Sequence, residues 1–125
     1  MPARTPEDVD RLFAEGLNAG NVEAVVALYE PTSVLIPEPG EIARGTAEIR
    51  AAITGFAAMK PKLTMGVKQV VRSGDDLAVL YNDWHMTAKG PDGQALELSG
   101  RAIEIVRRQA DGTWLFALDD PYARG

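Results

Sequence analysis

Apolar residues recur at helical spacing in the first half of the chain and at strand spacing in the second half. Val9, Phe13 and Leu17 fall on one face of a helix, and Thr5 precedes them as a candidate N-cap. Proline follows this cap at the first helical position, and two acidic residues favour the positive helix end. The pattern predicts a first helix that ends at residues 18–20.

Two further helices and one strand are predicted before residue 61. The second helix runs from its cap at Asn21 to Tyr29, because Pro31 cannot continue a helix. A short apolar strand over residues 33–36 comes next. A third helix, capped by Thr46, then carries isoleucines and a phenylalanine on its inner face.

Beyond residue 61 the pattern becomes that of strands separated by turns rich in glycine and aspartate. Four strands are predicted, over residues 63–72, 77–88, 95–108 and 113–118. Long antiparallel strands twist and coil, and a coiled sheet has a concave face that the helices must cover. The segregation of helices and strands predicts a single α+β domain over residues 1–125, with a cavity wherever the helices do not fill the sheet.

The amino-acid composition excludes several classes of function. The 125 residues suit one domain, and the absence of cysteine excludes disulfides, thiolate metal sites and cysteine nucleophiles. The net charge of −5 disfavours nucleic acid as a partner. No apolar run approaches a membrane span and no signal peptide is evident, so we expect no membrane partner and a cytoplasmic location.

Neither a metal nor a cofactor is expected from the motifs. His85 is the only histidine, so a histidine cluster for zinc or iron cannot form. Residues 90–93 read as a hairpin turn, not as a glycine-rich phosphate loop. No Gly-x-Ser-x-Gly elbow of a serine hydrolase is present.

Four short stretches together carry a resemblance to a known superfamily. Residues 17–29 read LNAGNVEAVVALY, residues 44–50 read RGTAEIR, residues 111–114 read DGTW and residues 119–122 read DDPY. Their order and spacing resemble the nuclear transport factor 2-like superfamily, which includes ketosteroid isomerase-like and SnoaL-like proteins. The resemblance implies a cone-shaped curved antiparallel sheet packed against three helices, and a homodimer formed through the convex sheet face. Enzymes and binding modules share this fold, so the resemblance implies no single chemistry.

The ketosteroid isomerases give the sharpest comparison with known chemistry. They need a carboxylate base and two acidic hydrogen-bond donors around an enolate oxygen. The resemblance places Phe13 where that family has its donor tyrosine and Pro37 where it has its base. Glu104 matches the remaining aspartic acid donor. Steroid isomerisation by that machinery is therefore excluded, while Glu104 stays a candidate acid.

Two other enzyme types of this fold leave carboxylates as candidates. The epoxide hydrolases that share this fold carry an Arg-x-Asp triplet on the penultimate strand. The matching residues of this chain, 102–104, read Ala-Ile-Glu and so lack the arginine. Arg101 lies nearby, but alternation points it outward if Glu104 points inward. SnoaL-like polyketide cyclases use an inward aspartate as an acid in an apolar pocket. Glu104 and Asp119 are the candidate catalytic pair, with Asp120 as the other possible acid of the last strand.

Alternation along the strand over residues 77–88 assigns side chains to its two faces. Asn82, Trp84 and Met86 share the more apolar face, which we expect to be concave, whereas His85 points to the convex face. Trp84 would then wall the pocket, and Asn82 would offer a polar group to a ligand. The full set of expected ligand-binding residues is Phe13, Tyr29, Phe56, Asn82, Trp84 and Met86.

Two functions remain open at this point. The first is a pocket of several hundred Å³ in which a hydrophobic, carbonyl-bearing small molecule undergoes isomerisation, cyclisation or a lyase reaction. The second is a non-catalytic ligand-binding or dimeric assembly module, whose carboxylates would be exposed to solvent.

Overall fold

In a computed structural model that describes residues 2–125, six strands form one curved sheet that packs against three helices. The sheet order is β2-β1-β6-β5-β4-β3, and β1 pairs in parallel with β6 while the other pairs are antiparallel. The predicted α+β class is confirmed. The elements are α1 (Pro6–Asn18), α2 (Val22–Val26), β1 (Tyr29–Leu35), β2 (Ala43–Arg44), α3 (Gly45–Ala58), β3 (Lys62–Ser73), β4 (Leu77–Lys89), β5 (Ala95–Arg108) and β6 (Trp114–Asp120).

The first helix forms as its sequence predicts. Thr5 Oγ1 accepts a hydrogen bond from Asp8 N, and the Asp8 carboxylate accepts one from Thr5 N, so the two residues make a capping box. At the other end, the Asn18 side chain bonds both the N–H and the C=O of Leu63, at 2.7 and 2.9 Å. These bonds tie the end of α1 to the start of β3.

The second helix is shorter than predicted, and the first strand is longer. α2 ends at Val26, and Tyr29 is the first residue of β1 instead of the last residue of a helix. Pairing with β6 decides the difference, because Phe116 N donates to Leu28 O at 2.7 Å. Pro31 lies inside β1, where the pairing with β6 is irregular and its missing N–H breaks no regular ladder.

The cap predicted for the third helix is wrong. Arg44 is the N-cap, and it has no side-chain hydrogen bond to the helix; instead Glu48 Oε1 accepts from Arg44 N at 2.9 Å. Thr46 lies inside the first turn. The two-residue strand β2, which the pattern did not reveal, places Arg44 in the sheet just before the helix begins.

The long strands β3, β4 and β5 build the concave face that holds the core. Residues 78, 80, 82, 86 and 88 of β4 are buried, which confirms the predicted inner face of that strand. Register shifts interrupt β3 near Val67 and the β5–β6 pair at Ile105, and such irregularities bend a sheet. None of the helices in residues 2–125 has the length and hydropathy that crossing a membrane requires.

The residues after β6 turn back across the sheet. Trp84 Nε1 donates to Pro121 O at 2.8 Å, and the Trp84 and Tyr122 rings meet edge to face with centroids 5.5 Å apart. Arg124 then donates to the backbone oxygens of Asn82 and Ala102, at 3.2 and 3.1 Å. We call residues 121–124 the C-terminal strap, since these contacts bind it to β4 and β5.

We expect Gly100→Ala to destabilise the protein by about 1–3 kcal/mol, a typical result of overpacking. A Cβ at this buried position would lie 2.6 Å from Trp84 Nε1 and 2.7 Å from Pro121 O, so the strap would have to shift. Urea unfolding measures the effect. The matched control is Gly55→Ala in α3, where nothing lies within 4 Å and the better helix former should stabilise by about 0.5–1 kcal/mol.

Candidate functional site

Three acidic side chains are buried at one place in the core. Asp10 of α1, Glu104 of β5 and Asp119 of β6 are between 1% and 2% exposed. Glu104 and Asp119 are direct partners in the antiparallel β5–β6 pair, so both side chains point to the same inner face. We call Asp10, Glu104 and Asp119 the carboxyl cluster.

Glu104 connects the other two carboxyls, and a donor stands at each end of the cluster. The Glu104 carboxyl lies beside the carboxyls of both Asp10 and Asp119. Asn82 Nδ2 donates to Asp10 Oδ2 at 3.2 Å, and Tyr29 O–H donates to Asp119 Oδ2 at 2.5 Å. Because carboxylates only accept hydrogen bonds, contact between two carboxyls requires a bound proton.

Burial sets the protonation of the cluster. It raises the pKa of Asp10 to about 6, against the lowering effect of the hydrogen bonds from Glu104 and Asn82. It raises the pKa of Asp119 to about 7, against the lowering effect of the bond from Tyr29. Burial, and after it the charge of Asp10, raise the pKa of Glu104 well above its ordinary value. Burial therefore favours the protonated form of Glu104, while the pKa values of about 6 for Asp10 and about 7 for Asp119 place the titration of both near neutral pH.

One oxygen of each carboxyl has no N–H or O–H donor among the described residues. These are Asp10 Oδ1, Glu104 Oε1 and Asp119 Oδ1, and all three are inaccessible to solvent. Shared protons within the cluster can satisfy some of them, and a ligand hydroxyl or water can satisfy others. In residues 2–125, no three histidine, aspartate or glutamate side chains are arranged to hold a metal ion.

A cavity of about 70 Å³, partly open to solvent, reaches Glu104 and Asp119. It is smaller than the several hundred Å³ expected from the sequence, because large side chains and the C-terminal strap fill much of the concave face. Its walls are almost wholly apolar. The remaining lining residues are Phe13, Leu17, Pro37, Phe56, Met59, Leu63, Met65, Trp84, Met86, Leu98, Pro121 and Tyr122.

The structure brings most of the predicted site residues to this cavity. The candidate pair Glu104 and Asp119 lies at it, and Asp120 does not. Four of the six predicted ligand-binding residues also line it, namely Phe13, Phe56, Trp84 and Met86. Both catalytic candidates are buried, in contrast to the exposed carboxylates that a pure assembly module predicts.

Two predicted ligand contacts are misplaced. Asn82 and Tyr29 do not line the cavity; they hold Asp10 and Asp119 from the side of the core. The Tyr29 ring is fixed there by Phe116, at a centroid distance of 4.8 Å. His85 is half exposed, with Nε2 3.6 Å from Glu97 Oε1, so it points outward as predicted.

Asp10 is the site residue that sequence reasoning missed. It precedes Phe13 by three residues and Leu17 by seven, so it lies on the buried face of α1. An acidic residue at a core position of an amphipathic helix was the available signal, because a buried carboxyl needs a partner.

We expect Asp119→Asn to gain stability relative to the natural chain as pH rises from about 4 to about 8. The raised pKa of Asp119 means that the folded protein binds a proton which the unfolded chain releases, so its contribution is present at low pH and is lost as pH rises through about 7. An amide mimics the protonated acid and does not titrate. Urea unfolding at several pH values should show this trend, and a pH-independent difference would contradict it. Asp75→Asn, the same change in an exposed turn, is the matched control.

Comparisons with known proteins agree on the fold. A putative calcium/calmodulin-dependent protein kinase II association domain from Xanthomonas campestris is 23% identical with a TM-score of 0.81, covering 95% of this chain and 86% of that one. A ketosteroid isomerase-like protein from Erwinia carotovora atroseptica is 21% identical with a TM-score of 0.80, covering 91% and 89%. An NTF-2-like protein of unknown function from Shewanella oneidensis is 18% identical with a TM-score of 0.76, covering 93% and 98%.

These solved structures share the α+β architecture described above, and at such identities they establish the fold alone. No curated protein matches the sequence. The SnoaL-like domain, in contrast, matches residues 9–116, a span that runs from the first turns of α1 into β6 and includes Asp10 and Glu104. The chain therefore belongs to the SnoaL-like domain family.

Proposed function

We propose that the chain is an enzyme that moves a proton at the carbon next to a carbonyl group of a small, hydrophobic, uncharged molecule. This step is common to isomerases, cyclases and lyases that act on carbonyl compounds. One observation carries the proposal: two neighbouring carboxyls with raised pKa values, Glu104 and Asp119, meet at an apolar cavity. Pairs of carboxyls at different protonation states are typical of acid and base roles.

Asp119 suits the role of base. Its pKa of about 7 makes it a competent proton acceptor near neutral pH. Tyr29 donates to Oδ2, and Oδ1 has no N–H or O–H donor among the described residues, so Oδ1 is the oxygen that takes the proton once a ligand displaces the side chains that cover it. In the proposed step the substrate C–H bond breaks, the proton goes to Asp119, and the electron pair moves to form an enolate.

Glu104 suits the role of acid. Burial and the charge of Asp10 raise its pKa and so favour its protonated form, which can donate a hydrogen bond or its proton to the carbonyl oxygen as negative charge develops there. Exchange of the proton on Asp119 with solvent, followed by return of the solvent hydrogen to the same carbon, gives hydrogen exchange. Return of a proton to a conjugated carbon gives an isomer. In either case the two carboxyls end in their starting states.

The cavity wall supports an uncharged ligand. No lysine, arginine or histidine is among its lining residues in the described part of the chain, and two carboxyls are. An anionic substrate would meet repulsion without a counter-charge, whereas a neutral carbonyl compound needs only the Glu104 proton. The volume of about 70 Å³ admits a small molecule or one end of a larger molecule.

We expect the protein to accelerate the exchange of α-hydrogens of butanone and cyclopentanone in deuterated water, measured by proton NMR. Loss of the acid in Glu104→Gln should slow this exchange about 100-fold or more, and loss of the base in Asp119→Asn should abolish it. The rate should rise with pH through about 7, where Asp119 ionises, and fall again where Glu104 loses its proton.

Glu97→Gln is the matched control for Glu104→Gln, since it makes the same change at an exposed position of β5 and should leave the exchange rate unaltered. Butanoate, the charged counterpart of butanone, should not compete. Binding of the ketones with no exchange above the background rate, or equal exchange by wild type and Glu104→Gln, would contradict catalysis and favour the ligand-binding module.

We further infer that two copies of the chain associate through the convex face of the sheet. Five half-buried apolar or aromatic residues lie side by side there: Val79 and Tyr81 of β4, Ile103 and Ile105 of β5, and Leu118 of β6. No helix among residues 2–125 covers this face, so an identical face can pack against it by two-fold symmetry. His85 lies on the same side of β4, at the margin of this row.

We expect the protein to have twice its chain mass of 13.5 kDa by light scattering at micromolar concentration. Ile105→Lys should reduce the mass to that of one chain, because it places an unpaired charge in the middle of the apolar row. Thr87→Lys adds the same charge at an exposed position of β4 and should remain dimeric. A wild-type protein with the mass of one chain would refute the association.

A further inference from the structure

Asp10 is the one member of the carboxyl cluster that does not line the cavity. It is 2% exposed on α1, and its partners are Asn82 Nδ2, at 3.2 Å from Oδ2, and the side chain of Glu104. Glu104 contacts Asp10 on one side and Asp119 on the other, so it stands between Asp10 and the proposed base. The reaction proposed above gives Asp10 no direct contact with a substrate.

We propose that Asp10 is a positioning residue, which carries the negative charge of the cluster outside the cavity and so holds the proton on Glu104. Its catalytic consequence rests on the proposed function. The location of the charge, in contrast, is a property of the resting protein and can be measured without any substrate.

The hydrogen bonds of the cluster favour this location. Asn82 is a fully buried amide that donates an N–H to Asp10 and cannot give up that proton, so it stabilises Asp10 as an anion. Asp119 has a comparable donor in Tyr29, but it also has a second carboxylate, Asp120, as its neighbour on β6. Repulsion from Asp120 makes Asp119 the poorer place for the charge.

The groups that face Glu104 come from four other elements. They are Asp10 on α1, Tyr29 on β1, Asn82 on β4 and Asp119 on β6. The charged groups among them are all acidic, so each acts to keep the proton on Glu104. Asp10 has the largest such effect, both as a like charge and as the acceptor of the Glu104 hydrogen bond.

Carboxyl carbon NMR of the uniformly labelled full chain, from pH 4 to pH 9, tests the proposal directly. Asp10 is expected to titrate first, Asp119 second and Glu104 last. This order needs no variant, so it remains testable if a substitution prevents folding. Titration of Asp10 after either of the other two would overturn the proposal.

Asp10→Asn supplies the second arm. The variant retains the shape of Asp10 but removes its charge, so the titration midpoint of Glu104 should fall by about one pH unit or more. Glu7→Gln, on the exposed first turn of the same helix, should leave the midpoint where it is. An unchanged Glu104 midpoint in folded Asp10→Asn would show that Asp10 does not hold this proton.

The exchange of ketone α-hydrogens then separates the two proposals. In Asp10→Asn the high-pH limb of the rate profile should move to lower pH by the same amount as the Glu104 midpoint, which a loss of packing alone would not cause. Suppose that the titration order and the midpoint shift are as expected, but neither the wild type nor the variant accelerates exchange of the ketone α-hydrogens. The proposed function then fails, and the assignment of the negative charge to Asp10 stands. If exchange occurs and the high-pH limb of its rate profile lies at the same pH in the wild type and in Asp10→Asn, the positioning role fails.

Discussion

Three carboxyl groups can leave water together only when protons and hydrogen-bond donors go with them. In this protein the donors come from opposite sides of the cluster, Tyr29 on the first strand and Asn82 on the fourth. Each belongs to a different part of the sheet, and α1 supplies Asp10 to the same place. The same packing of helix and strands therefore forms the core and positions the side chains of the site.

The C-terminal strap has a comparable double role. Arg124 binds backbone oxygens of β4 and β5 beside Asn82, while Pro121 and Tyr122 close one side of the cavity. The Trp84 ring joins the two functions, since its N–H fixes the strap and its face walls the cavity. Access to the carboxyls and the anchoring of residues 121–124 thus depend on the same few contacts.

Local and pairwise patterns in the sequence predict a large part of this structure. The Thr5 cap, the inner face of β4 and the inward direction of Glu104 follow from spacing, alternation and resemblance. The role of Tyr29 does not, because it depends on a long-range pairing with β6 that ends α2 before Tyr29 is reached. Asp10 does not follow either, because a helical periodicity is recognised by its apolar residues and Asp10 is acidic. The cavity volume depends on side-chain packing, which no local pattern in the sequence determines.

A cluster of buried acids is also a weakness of the fold. Apolar side chains of similar volume at Glu104 and Asp119 would remove the cost of burying polar oxygens, and such replacements often raise stability. The protein is therefore less stable than its architecture allows, at the very point where its proposed chemistry occurs. Selection of this domain for heat resistance alone would therefore be expected to replace Glu104 and Asp119 by apolar residues. The fold would remain, but without its reactive groups.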